Sequence, residues 1–280
     1  MLQIGKFNKL TIVKEVDFGL YLDGHPYGEI LLPIRYVEDS MHIDDIINVF
    51  IYTDSEDRII ATTLKPYGIV GDFVNLKVID TSQYGAFSDW GLPKDLFVPF
   101  KEQNGKMEEG QRHLVRIYLD NTTERVTASA KIAKFLATEN DNTYQEKDAV
   151  ELVIAQKTDI GYKVIIDNAY LGVLFFSEVF RPLSIGQKVS GYIKKIREDN
   201  LIDVTLQKQG YLDAISDATE VILDKLKELD GMLPISDKSS PEDIYELLFM
   251  SKKSFKKAIG QLYKKELITI DKHNIYLKKL

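Results

Sequence analysis

Two aromatic pairs, Phe18 with Tyr21 and Tyr84 with Phe87, each stand three residues apart around a glycine, in Phe18-Gly-Leu-Tyr21 and Tyr84-Gly-Ala-Phe87. Strand residues three apart normally face opposite ways, but a glycine bulge brings both rings onto one face. Two exposed rings side by side make a stacking platform for unpaired bases, worth about 1–3 kcal/mol per base. Trp90 extends the second pair, and Arg35, Lys101 and Arg116 are placed to meet phosphates nearby. The competing reading is that one ring of each pair caps a barrel core. Gly19, Gly85 and Gly161 likewise need no ligand, since a tightly curved strand explains them.

The second constellation is basic. In Ser251-Lys-Lys-Ser-Phe-Lys-Lys-Ala-Ile-Gly-Gln-Leu-Tyr-Lys-Lys265, Phe255, Ile259 and Leu262 share one helical face. Lys252, Lys253, Lys256 and Lys257 crowd the first turns, where a helix N-terminus favours phosphate, and Lys264 and Lys265 close the segment. The absence of Arg favours backbone contact over base readout, which prefers a forked guanidinium. The plain alternative is a solvated lysine face.

Residues for catalysis are sparse. His25, His42, His113 and His273 show no metal-ligand spacing, and neither a glycine-rich phosphate signature nor a Ser/His/Asp cue occurs. The acid pairs Asp44-Asp45 and Glu56-Asp57 read as solvated loop or strand residues. No catalytic residue, metal or cofactor is therefore expected. With no cysteine, disulfides and thiolate metal sites are excluded. No apolar run reaches the length of about 18 residues that a membrane helix needs, and the N-terminus lacks the apolar stretch of a signal peptide. A cytoplasmic protein without a membrane partner is expected.

The net charge of −7 argues against a general polyanion binder, but the charge is uneven. Residues 1–64 carry 5 basic and 11 acidic side chains, whereas residues 251–280 carry nine lysines against Glu266 and Asp271. The two ends cannot face a phosphate backbone equally well.

What positions these residues is a repeat. At an offset of 66, Gly5, Phe7, Leu10, Val13, Gly19, Pro33, Tyr52 and Asp54 fall on Gly71, Phe73, Leu76, Ile79, Gly85, Pro99, Tyr118 and Asp120. Solenoid repeats run about 20–50 residues, so this period suits a small domain copied in tandem. Each copy reads as short strands: Phe73-Val-Asn-Leu-Lys-Val-Ile alternates, Leu96-Phe-Val-Pro follows, and His113-Leu-Val-Arg-Ile-Tyr-Leu turns back through Asn121-Thr-Thr-Glu into Arg125-Val-Thr-Ala-Ser. Five short strands without a long helix fit an oligonucleotide-binding (OB) barrel.

A fainter third copy opens at Val150-Glu-Leu-Val-Ile-Ala and closes at Asn200-Leu-Ile-Asp-Val-Thr-Leu. It places Ile160 and Lys163 where the rings should be, leaving Tyr162 and Phe175 as alternatives, while Lys194, Lys195 and Arg197 on its long strand offer backbone contacts. Between copies two and three lie a short helix at Lys131–Leu136 and a polar linker at 137–143. After Tyr211 the apolar period becomes 3.6: a helix over 217–229 ended by Gly231, a second starting at Ser240-Pro241, and a third capped by Ser251. Strands at Leu267–Ile270 and Asn274–Leu277 complete a winged-helix arrangement. The expected fold is thus mostly β: OB barrels at 1–64, 65–138 and 139–210, then an α+β winged helix at 211–280.

Tyr84-Gly85-Ala86-Phe87 closely matches, and Phe18-Gly19-Leu20-Tyr21 nearly matches, the Phe-Gly-Ala-Phe strand of S1 RNA-binding domains. Ile30-Leu-Leu-Pro33, Leu96-Phe-Val-Pro99 and Gly172-Val-Leu-Phe-Phe-Ser177 resemble the strand that follows it in that domain, and Gly186-Gln187 the turn before the long strand. Three S1-like barrels followed by a winged helix resemble the conserved virulence factor B (YitL-like) family of bacterial RNA-binding proteins, over essentially the whole chain. The resemblance implies post-transcriptional regulation of gene expression, including virulence genes in some relatives. The resulting expectation is a non-catalytic protein whose partner is single-stranded RNA, with duplex nucleic acid a further partner of the winged helix. A protein-interaction scaffold for ribosome, polymerase or nuclease, and a DNA-binding regulator led by the winged helix, are the alternatives.

Overall fold

Alternation of the expected kind marks the middle of the long strand Phe73–Ser82, where Leu76 and Val78 are buried while Lys77 and Ile79 are exposed. In the computed structural model, which describes residues 2–137, 143–179, 182–206 and 213–278, the strands close into three barrels. The first comprises β1 (Phe7–Val16), β2 (Gly19–Asp23), β3 (Glu29–Pro33), β4 (Ile46–Thr53) and β5 (Ile59–Thr62). The second comprises β6 (Phe73–Ser82), β7 (Gly85–Asp89), β8 (Leu96–Pro99), β9 (Arg112–Leu119) and β10 (Val126–Ser129). The third comprises β11 (Ala149–Lys157), β12 (Gly161–Ile166), β13 (Tyr170–Phe175), β14 (Lys188–Ile196) and β15 (Ile202–Thr205). In each, the first strand pairs antiparallel with the second and fourth, and a parallel pairing of the third and fifth closes the barrel. The short helix expected before the third barrel is a 3₁₀ turn, Ile132–Phe135. The 137–143 linker falls mostly outside the described residues, as does the expected boundary at 210/211.

The bulge lies elsewhere than expected. Register slips between Ile12 and Lys14, Val78 and Asp80, and Ile154 and Gln156 place it in the first strand of each barrel, not at the glycine opening the second. There it adds the twist that closure requires. The glycine answers a different need. A Cβ at Gly85 would sit 2.3 Å from the Val98 carbonyl oxygen, and one at Gly161 2.1 Å from that of Leu174. Backbone of the third strand crosses this position too closely for any side chain. Gly85→Ala is accordingly expected to destabilise the fold by about 2 kcal/mol, as overpacking against an immovable neighbour does, read as a lower urea midpoint with unchanged slope.

By density of packing the chain forms two compact units, Met1–Phe135 and Leu136–Leu280. In the first, the barrels share a core: Phe50 and Tyr52 of β4 are buried in one cluster with Leu76, Val78, Leu96, Val98, Val115 and Ile117 of the second barrel. In the second unit, α1 (Asp213–Glu228), β16 (Met232–Leu233), α2 (Pro241–Leu248), α3 (Lys252–Lys264), β17 (Ile268–Ile270) and β18 (Ile275–Leu277) follow the third barrel. Ser240 and Asp243 form a reciprocal capping box at the start of α2, with Pro241 at its first position. The Ser251 side chain accepts from the Ser254 amide and caps α3. Ile222, Leu226, Ile244, Phe255, Ile259 and Leu262 meet in one apolar core. The helix α1 begins four residues before the expected 217, and β16, with only two residues, is too short to carry a strand pattern.

Candidate nucleic-acid interface

The first barrel brings its two rings together. Phe18, 55% exposed, lies in the β1–β2 turn just ahead of Gly19, so the strand alternation does not bind it. Its ring meets that of half-buried Tyr21 edge-on, with centroids 6.2 Å apart, and Lys14 Nζ lies 5.5 Å from the Tyr21 ring. The turn is held by the Ile34 amide donating to the Phe18 carbonyl. Arg35 is exposed and lies over the Tyr36 ring.

The second barrel repeats this turn, with the Phe100 amide donating to the Tyr84 carbonyl, and adds a groove. Tyr84 is 69% exposed, and with Phe87, Phe97, Lys94, Asp95 and Arg125 it lines a cleft of about 590 Å³. Phe87 and Phe97 face each other across β7 and β8, with centroids 5.1 Å apart. Phe97 lines this cleft, which the aromatic spacing overlooks. Its signal was the alternation Leu96 in, Phe97 out, Val98 in. The groove's cations lean toward the first barrel: Arg125 pairs with Asp57, and Lys94 Nζ lies 3.6 Å from Asp57 and 2.5 Å from the Asp54 carbonyl oxygen. Burial pulls the Lys94 pKa below its ordinary value, against the pull of Asp57.

Several expected contacts are corrected. Trp90 does not extend the platform. It is 2% exposed, packs edge-on against Phe50 and Tyr52, and donates its indole N–H to the Lys94 carbonyl. Its parity on the strand explains this, since Ala86 and Ser88 also face inward. Tyr162, at the inward position of β12, is buried against Phe176. Arg116 lays its guanidinium over the Phe73 and Phe135 rings, away from the residues of the groove, and burial lowers its pKa. Lys101 is exposed but does not line the groove either.

The third barrel carries no ring pair at the positions equivalent to the first two platforms. Ile160 is 60% exposed at the Phe18 position and Lys163 is exposed at the Tyr21 position. Lys194 pairs with Glu178 at 2.6 Å, and Arg197 holds Asp203 through two nitrogens while lying over half-buried Phe175. Of this strand's expected backbone contacts, Lys195 is the exposed one.

On α3, Phe255, Ala258, Ile259 and Leu262 are buried, while Lys253, Lys256, Lys257, Lys264 and the capping Lys265 are exposed and Lys252 is partly so. Tyr263, 58% exposed, lines a shallow hollow with Lys256, Gly260, Asp237 and Ile270. Sequence reasoning passed over it because it falls off the apolar face. Among the described residues no group of three His, Asp or Glu side chains is placed to hold a metal ion, and no helix is long and apolar enough to cross a membrane.

Against known families, residues 4–64 match the S1 domain and residues 220–277 the CvfB-like winged helix domain. The conserved virulence factor B of Staphylococcus epidermidis is 30% identical over 249 residues, covering 86% of this chain and 83% of its own. The chain belongs to the conserved virulence factor B family. The YitL protein of Bacillus subtilis is 29% identical over 265 residues, 91% of this chain and 87% of that one. A solved multidomain protein with nucleic acid binding domains from Streptococcus pneumoniae is 23% identical, covers 98% of each chain, and has a TM-score of 0.43. Within this family the chain combines S1-type barrels and a winged helix, both nucleic-acid-binding modules.

Proposed function

We propose that this chain is a non-catalytic RNA-binding protein that holds single-stranded RNA on the rings of its first two barrels and regulates gene expression after transcription. The observation that carries this reading is the repeated exposure of Phe18 beside Tyr21 and of Tyr84 in one cleft with the Phe87–Phe97 pair. Exposed rings at the mouth of an OB barrel cost solvation unless a partner covers them, and every base has a face to offer. Lys14 and the α3 lysines supply backbone attraction, and joining several weak sites on one chain raises the overall affinity. The name borne by the relatives supports virulence genes as the regulated set.

A second reading rests on α3. Its exposed Lys253, Lys256 and Lys257, with Tyr263 further along the helix, fit the backbone of a duplex groove. Fluorescence anisotropy across a salt series, with matched single-stranded RNA, single-stranded DNA and duplex DNA, separates the two. Single-stranded RNA is expected to bind tightest. Lys253→Gln/Lys256→Gln is expected to flatten its log K against log salt slope by about 1.4, or about 0.7 for each phosphate no longer neutralised. Duplex preference that disappears with residues 211–280, and that the ring substitutions leave untouched, would move the function to the winged helix.

A further inference from the structure

The groove of the second barrel carries a carboxylate of its own, and its cations are engaged elsewhere. Its two cations are drawn to Asp57 and Asp54 of the first barrel, while Asp95, half-buried on its wall, accepts no hydrogen bond and makes no ion pair among the described residues. Asp95 is two residues before Phe97 on the same outward face of the chain, so carboxylate and ring border one space. Asp80 stands opposite Phe87 in the register of β6 and β7, and its side chain is occupied by the Thr81 amide. Asp89 is likewise occupied by the Gly91 amide. Asp95 is therefore the carboxylate left to meet a ligand.

The repeat carries the same device twice. Displacing Asp23 and Glu29 by 66 residues gives Asp89 and Asp95, and in the first barrel Asp23 and Glu29 face each other in register. The third barrel, which lacks the rings, has Ile165 facing Leu171 at these positions. Acid and platform thus occur together or not at all.

We infer that Asp95 is a specificity-determining residue that selects guanine for the Tyr84–Phe87–Phe97 groove. A carboxylate offers two acceptors side by side. Guanine alone among the four bases presents two adjacent donors, N1–H and N2–H, on its pairing edge. Adenine and cytosine each set one donor beside an acceptor, and uracil flanks its single N–H with two carbonyls. With a base stacked on the rings, the Asp95 carboxylate meets the pairing edge of an unpaired guanine and repels the carbonyls of uracil. Burial, with Asp89 and Asp80 adding like charge, raises the Asp95 pKa, so a donor-rich base also relieves the carboxylate.

This inference rests on the RNA reading above, and one experiment tells the two apart. The full chain is titrated with fluorescent oligouridine carrying one central guanosine, adenosine, cytidine or inosine. The guanosine strand is expected to bind about tenfold more tightly than all-uridine, in line with a two-bond base contact, with inosine between them for want of the N2 amino group. Asp95→Asn is expected to abolish the difference while leaving all-uridine binding unchanged or tighter. Equal binding of all five strands, or a guanosine preference that survives Asp95→Asn and Asp95→Ala, would overturn the inference while leaving RNA binding intact. No binding of any strand at low salt would overturn both.

Discussion

Replacing Phe18 and Tyr84 together by alanine is expected to weaken single-stranded RNA binding at least 30-fold while the fold keeps its stability. Each ring is more exposed than buried, at 55% and 69%, and neither belongs to a barrel core. Truncation therefore opens no cavity, and surface changes of this kind stay within about 0.5 kcal/mol of wild type. On the ligand side, losing one stacked base costs about 1–3 kcal/mol, so two cost at least about 2 kcal/mol, which is about 30-fold. The single substitutions should divide this loss unevenly. Tyr84 stands over a groove walled by two further rings, whereas Phe18 has only Tyr21 beside it. Tyr84→Ala is therefore expected to cost more than Phe18→Ala. Anisotropy titration measures the affinity and urea denaturation the stability, and unchanged affinity in a folded double variant would remove stacking from the account.

The second large effect concerns stability. Trp90→Ala is expected to destabilise the first unit by about 3–5 kcal/mol, the usual cost of truncating a buried large aromatic. Trp90 closes the contact between the two barrels: its ring lies 5.7 Å from Phe50 and 6.5 Å from Tyr52, and its indole N–H fixes the loop that carries Lys94. Lys94 and Arg125 in turn reach Asp57 across the same junction. Loss of the ring strips the packing on both sides at once. A domain of about 60–70 residues is marginal alone, so two barrels sharing a core gain more from their junction than a large domain would. As the chain has a single tryptophan, its fluorescence in wild type reports this junction directly. The red shift on urea unfolding should coincide with loss of the β circular dichroism signal, and in Trp90→Ala that signal should be lost at a lower midpoint. A midpoint unchanged by the substitution would mean that the barrels do not depend on this contact.

Much of this architecture is legible in the sequence because a repeat converts weak strand signals into strong ones. Gly19 with Gly85 and Pro33 with Pro99 mark the same turns, and Phe18 and Tyr84 are exposed there as their spacing suggests. The winged helix is legible through its caps, Ser240 with Pro241 and Ser251. What stays hidden is pairing across distance. Nothing in residue type separates a ring stacked between two barrels from a ring facing solvent, so Trp90 reads as platform. Only its parity with Ala86 and Ser88 points inward. Lys194 and Arg197 read as free cations because their carboxylates, Glu178 and Asp203, come from other strands and turns. The glycine reads as the bulge because the true place of the slip, at Val13 and Ile79, has an ordinary residue. Those two apolar side chains are partly exposed, a break in alternation that marks the slip.

The most direct test of the central claim is to map where RNA touches the chain. Oligonucleotides carrying 4-thiouridine or 6-thioguanosine, crosslinked to the whole chain by long-wavelength light and read by mass spectrometry, report the residues in contact with bases. Stacking on the barrel rings predicts crosslinks at Phe18, Tyr21, Tyr84, Phe87 and Phe97, with α3 touching the backbone only. Crosslinks confined to the third barrel or to α3, with none on the rings of the first two barrels, would contradict it.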